Sequence, residues 1–220
     1  MRVSILPEKC RAHGRWWEKC WRVTYGCEPV SAGCDHCWAR SMHDRFRKRP
    51  GPFTDVEFAT DKIDAPVHRK KPTVYVAWND PFHEECFTGR LLDVALQAKQ
   101  HRFLLLTKRP RRMASLMKRW AKGCGILPNV GLGVSVEDQA TADERIPLLL
   151  DTPAAFRFVN YGPALGPVNF AQRDGPSRPR GASVPACMKS PPQAAGLPAE
   201  GRKRAAVKKV AKKKAKRNKS

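Results

Sequence analysis

Phe103-Leu104-Leu105-Leu106-Thr107-Lys108-Arg109-Pro110 and, one helix-length further on, Val130-Gly131-Leu132-Gly133-Val134-Ser135-Val136 decide the fold class of this 220-residue chain. Both are short, near-continuous apolar runs. Such runs are the habit of strands covered on both faces, as in a parallel sheet. Similar β-rich runs stand at 74–78 and 156–161, with earlier ones at 21–25 and 56–59. The gaps between the later runs carry helical periodicity. At 90–100, Leu91, Leu92, Ala95 and Leu96 form a stripe. Pro110 opens 110–121, where Met113, Leu116, Met117 and Trp120 recur at three and four. The stretch 138–149 begins with an acidic turn that suits the helix dipole, and Pro147 is expected to bend or end that helix.

Strands alternating with helices predict repeated βα units around a parallel sheet. About six strands are expected, and a complete eight-stranded barrel takes about 250 residues. The expectation is therefore an α/β fold: a partial or truncated (β/α) barrel of about six parallel strands, or an open sheet. Residues 1–19 read as an N-terminal extension and 20–170 as the βα-repeat domain. Residues 171–201 are rich in Pro, Gly, Ser and Ala without usable period, and 202–220 read as a Lys-rich tail disordered on its own.

The formal charge of +22 is unevenly spread, since half of it sits in the eleven Lys and Arg of 202–219, which contain no acid. Such a tail points to nucleic acid as a partner, and the remaining excess suggests an anionic partner or substrate. No run approaches the roughly 20 apolar residues of a membrane span, so no membrane partner is expected. Of the eight cysteines, three crowd into residues 27–37 while most of the others stand alone. That is not a disulfide framework. It fits a reducing, cytoplasmic compartment in which clustered thiols bind metal.

The cluster reads Gly26-Cys27-Glu28-Pro29-Val30-Ser31-Ala32-Gly33-Cys34-Asp35-His36-Cys37-Trp38. Cys34 and Cys37 can grip one metal centre, and Cys27 returns through a Pro- and Gly-containing loop. Three thiolates suit a [4Fe-4S] cluster with one iron left open. Zinc is the alternative and needs a fourth ligand, for which His43 and His83 are better placed than His36. Other chemistry-bearing residues end the strands. Asp80 and His83 are candidates for proton transfer or metal ligation, and Lys108 is a third catalytic candidate. Lys108 and Arg109 could clamp a carboxylate or phosphate. Ser135 and Glu137 could bond ribose hydroxyls, although Glu137 and Asp138 could equally cap the next helix. Trp38 could stack on an adenine or pack in the core.

The segment from Trp21 to Cys37 with Trp38-Ala39-Arg40 resembles the three-cysteine signature of an uncharacterised phage and bacterial protein family, a domain of unknown function. Further matches are Val74-Tyr75-Val76 with Asp80 and Phe82-His83-Glu84, Leu106-Thr107-Lys108-Arg109-Pro110, and Pro128 through Gln139 to Pro147. That family is similar to radical S-adenosylmethionine enzymes. The resemblance implies a cluster held by Cys27, Cys34 and Cys37, whose open iron binds S-adenosylmethionine and whose electron cleaves it to a 5′-deoxyadenosyl radical. The chain departs from the family at Asn160-Tyr161-Gly162-Pro163, where a Ser-x-Glu-Pro segment with its carboxylate is usual, and in its C-terminal part. Two other readings stand beside the enzyme: a zinc-stabilised nucleic-acid-binding protein, and an inactive truncated member of the family.

Overall fold

Every residue from Val130 to Val136 is buried, as expected of a strand covered on both faces. The computed structural model describes residues 15–46 and 50–170. In chain order the elements are β1 (Lys19–Arg22), β2 (Thr24–Tyr25), α1 (Trp38–Phe46), β3 (Glu57–Phe58), β4 (Val74–Trp78) and α2 (Thr88–Gln97), followed by β5 (Arg102–Thr107), α3 (Pro110–Cys124), β6 (Val130–Val136), α4 (Gln139–Leu150) and β7 (Phe156–Tyr161). Five strands form one sheet in the order β1-β4-β5-β6-β7, and every pairing in it is parallel.

The alternation of side chains divides the sheet into two unlike faces. Trp21, Tyr75, Phe103, Leu105, Leu132 and Val134 share one apolar core with Leu91 and Leu92 of α2, Met113 and Met117 of α3, and Ile146 and Leu149 of α4. The three long helices thus cover one face. On the other face Val74, Val76 and Leu104 pack against Trp16, Trp17, Phe156 and Phe158. Gly131 and Gly133 also lie on that second face, and the rings of Phe156 and Phe158 occupy the space where their side chains would be. Glycine in a buried strand here marks a close approach between neighbours rather than a turn.

Several expectations change against the structure. The strand expected at 21–25 is broken at Val23 into β1 and β2. The run at 56–59 does not join the parallel sheet: β3 pairs antiparallel with β2 in a separate two-stranded ribbon. The parallel sheet therefore has five strands rather than six. A parallel return from β3 to its neighbour would need a crossover of a dozen or more residues, usually helical, and residues 59–73 contain only turns. A barrel is not formed by the described strands. Pro147 does not end α4, since the helix runs on to Leu150 at the loss of one backbone hydrogen bond. The helix α1 was not foreseen, and none of its residues is buried. The expectations for residues 171–201 and for the basic tail 202–220 lie outside the described residues, as does most of the N-terminal extension. Among the described residues no helix is long and apolar enough to cross a membrane.

Gly133→Ala should destabilise the chain by about 1–3 kcal/mol through overpacking against Phe158. Chemical denaturation measures this, and pairing the change with Phe158→Leu should recover part of the loss. Equal cost in both backgrounds would place the origin elsewhere.

Candidate functional site

The carboxyl ends of β4, β5, β6 and β7 deliver Asn79 and Asp80, Thr107 to Arg109, Ser135, and Asn160 to one end of the sheet. There, with the loop 26–37, they line a cavity of about 490 Å³. This is the edge at which parallel α/β sheets place their ligands. Cys27, Cys34, Cys37 and Trp38 all line it.

The loop is fixed at several points. Gly26 has a φ of +73°, and a side chain there would strike the Phe53 carbonyl. Next to it, the Cys27 N–H donates to that carbonyl at 3.0 Å. A single 3₁₀ turn, Ala32–Cys34, then brings Gly33 against Glu137, with a would-be Cβ only 2.5 Å from the carboxyl carbon. Ser31 donates its hydroxyl to Glu137 Oε1 at 2.7 Å.

Glu137 is 1% exposed and also receives Lys108 Nζ at 2.5 Å and Arg145 Nη1 at 3.5 Å. Burial works to raise its carboxyl pKa. The hydrogen bonds from Lys108 and Ser31, and the Lys108 and Arg145 charges, outweigh that and hold it below its ordinary value. Capping of α4 is left to Asp138, which accepts from the Thr141 N–H at 2.8 Å. Glu137 therefore stands behind the loop and does not line the cavity, whereas Ser135 does.

Asp80 is equally committed. Its Oδ1 accepts from the Phe82 N–H at 2.9 Å and from the Thr107 hydroxyl at 2.6 Å, and its Oδ2 pairs with Arg109 Nη1 at 3.0 Å. Arg109 reaches on to the loop, with Nη1 at 3.9 Å from Cys27 Sγ and Nη2 donating to the Glu28 carbonyl at 3.4 Å. Lys108 Nζ is 3.6 Å from Cys34 Sγ. Neither cation is a solvated start to the next helix; both are turned into the cysteine loop.

His83 is buried outside the cavity. Its Nδ1 accepts from the Glu85 N–H at 3.2 Å, which leaves Nε2 carrying the proton in the neutral ring. That Nε2 lies 3.4 Å from Glu28 Oε2 but makes no well-formed hydrogen bond. His43 packs edge-on against Phe53. Of the three histidines weighed as fourth ligands, only His36 lines the cavity. Trp38 is 58% exposed, and its ring meets Trp78 with centroids 4.4 Å apart.

Two thiols sit in contrasting surroundings. Burial, with the Asp80 charge, pushes Cys27 up to about 11 despite Arg109. Burial also acts to raise Cys34, but the N–H donors of Val30 and Ser31, Lys108 and the Ser31 hydroxyl together bring it below its ordinary value. N–H donors on one sulfur and a guanidinium beside another are the surroundings a thiolate-held, anionic group requires, so the donor set fits an iron–sulfur cluster or zinc. The three thiols share a wall without being drawn together. Among the described residues no group of three or more His, Cys, Asp or Glu side chains is arranged to hold a metal ion as it stands.

Sequence reasoning missed Ser31, Asn79, Thr107, Arg145 and Asn160. Asn79 has a φ of +64°, donates from Nδ2 to the Thr24 carbonyl at 2.8 Å and leaves Oδ1 without a partner beside the cavity. Arg145, 3% exposed on α4, donates to the Ser135 carbonyl at 2.8 Å.

Two outcomes follow. In metal-free protein, iodoacetamide should modify Cys34 at a lower pH than Cys27, read by peptide mass spectrometry across pH 6 to 10. The reverse order would contradict the electrostatics above. Glu137→Gln, which leaves the buried Arg145 and the half-buried Lys108 facing a neutral amide, should cost about 3–5 kcal/mol at neutral pH. Because its carboxyl is held low, Glu137 stabilises the fold above the ordinary carboxylate range. The gap between wild type and variant should shrink as pH falls below about 4.

A family model for a protein of unknown function, DUF5131, matches residues 11–175, a span that takes in every described strand and helix and the whole cavity. No curated protein and no solved structure matches the chain. The chain belongs to the DUF5131 family of proteins of unknown function.

Proposed function

We propose that the chain is an iron–sulfur enzyme resembling the radical S-adenosylmethionine class, with the cluster held by Cys27, Cys34 and Cys37. The observation that carries this reading is that the three thiols line one cavity at the carboxyl edge of a parallel sheet. The strand order rises without reversal, and the long helices share one face, which fits an arc of a (β/α) barrel. A bound cluster would supply one open iron for a small ligand and a source of single electrons.

The chain's own residues prepare that site. Lys108 and Arg109 place positive charge beside the sulfurs of Cys34 and Cys27. Asn79, held by its Nδ2 bond to the Thr24 carbonyl, forms part of the polar lining. The exposed face of Trp38 suits a flat, aromatic group such as adenine, and Ser135 and Asn160 lie on the wall where polar groups of such a ligand would end. Asp80, bonded through both oxygens, serves better to hold Arg109 than to move a proton.

Iron, sulfide and zinc should be quantified on anaerobically purified protein and on Cys34→Ala. About four irons and four sulfides per chain, broad absorbance near about 400 nm, loss of both in the variant, and reductant-dependent cleavage of S-adenosylmethionine are expected. One zinc and no iron would decide for the zinc-stabilised alternative. A cluster that loads normally but cleaves no S-adenosylmethionine would fit an inactive member of the family.

A further inference from the structure

A second concave surface, about 950 Å³, opens beside β1, the edge strand of the sheet among the described residues, and Cys27, Cys34 and Cys37 do not line it. Lys19, Arg22, Lys62, Arg69, Lys70 and Lys71 line it, and among the described residues no acidic one does. Among these, Lys62 pairs with neighbouring Asp61 at 3.5 Å, and Arg69 is occupied by the Thr73 hydroxyl. Lys19, Lys70 and Lys71 are exposed. Six cations around one groove repel one another, and an anionic ligand relieves that repulsion.

The groove also has an aromatic exit. Trp78 lines it, and the Trp78 ring meets that of Trp38, which lines the cysteine cavity. Regularly spaced phosphates would meet the cations, while unpaired bases have partly open indoles on which to stack. A double helix keeps its bases stacked inside and would leave the tryptophan pair unused.

We propose that this groove binds the backbone of single-stranded nucleic acid and leads it past Trp78 and Trp38 toward the cysteine cavity. Binding in the groove is independent of the cluster; only the delivery toward the cavity rests on the reading given above. The site is built from residues 19–78 and uses none of the lysines of 202–219.

The full chain supplies a local reporter, because Cys20 is exposed on the groove wall. Saturating fluorescein-labelled dT20 should slow N-ethylmaleimide modification of Cys20 at least fivefold, read by peptide mass spectrometry. The matched duplex and inorganic pyrophosphate should protect far less. In anisotropy titrations over a salt series, Lys62→Ala/Lys70→Ala/Lys71→Ala should reduce the slope of log K against log salt by about 2, at about 0.7 per phosphate contact. Unchanged Cys20 reactivity under saturating dT20 would overturn the proposal, as would equal protection by duplex or pyrophosphate or a salt slope untouched by the triple change. The Cys20 measurement needs no variant, so it decides even if the triple variant folds poorly. None of these readouts depends on iron content, which separates failure here from failure of the cluster reading.

Discussion

The Glu137 carboxylate accepts from Ser31 of the cysteine loop and from Lys108 at the end of β5, with Arg145 of α4 at 3.5 Å, so one buried anion joins three segments distant in sequence. Removing such a charge from water costs several kcal/mol, and only the two cations and the hydroxyl offset it. Its contribution lies in register more than in net stability. Gly33 must lack a side chain because the same carboxylate occupies that space. The loop that brings the thiols to the sheet is thus positioned by a group that touches none of them.

Asp80 repeats the arrangement on the other side of β5, at the end of β4. It fastens Thr107 and Arg109 to the end of β4, and Arg109 reaches the Glu28 carbonyl and approaches Cys27. Each thiol therefore inherits the balance of its own strand end. Cys34, beside Lys108, is the easier to ionise. Cys27 is more deeply buried, lies near the Asp80 charge and is the harder.

Much of the fold was legible because its signals were local. The apolar runs at 103–107 and 130–136 name two strands, and Pro110 with Met113 and Met117 names α3 within a few residues. What escaped depended on partners. Residues 56–59 look like any strand, and only the lack of a crossover helix before Val74 separates an antiparallel ribbon from a sixth parallel strand. The segment Trp38–Phe46 does repeat apolar residues at four-residue spacing, with Trp38, Met42 and Phe46, but it buries none of them and was passed over beside the cysteines. Within the site, the cysteines and the strand-end polar residues stood out by type and position. Ser31 and Arg145 did not, because a loop serine and a helical arginine acquire meaning only when a buried carboxylate lies between them. Glu137 itself was legible as important but not as to its role, since a strand-end acid can face a ligand, cap a helix or brace a loop.

The same accounting bears on where an anionic substrate would be held. Lys108 and Arg109 lie at the cavity, yet their charge is already opposed by Glu137 and Asp80 and would be drawn further by ionised thiols. A phosphate arriving there would compete with the bonds that hold the loop in place. In the β1 groove Lys62 has Asp61 beside it and Arg69 has the Thr73 hydroxyl, while Lys19, Lys70 and Lys71 stand exposed with no described carboxylate on the lining. Positive charge used for architecture and positive charge left open to a ligand are thus separated on this fold, with Trp78 and Trp38 between them. On the binding proposed for the β1 groove, a long anion held there would leave the bonds around the cysteine loop intact.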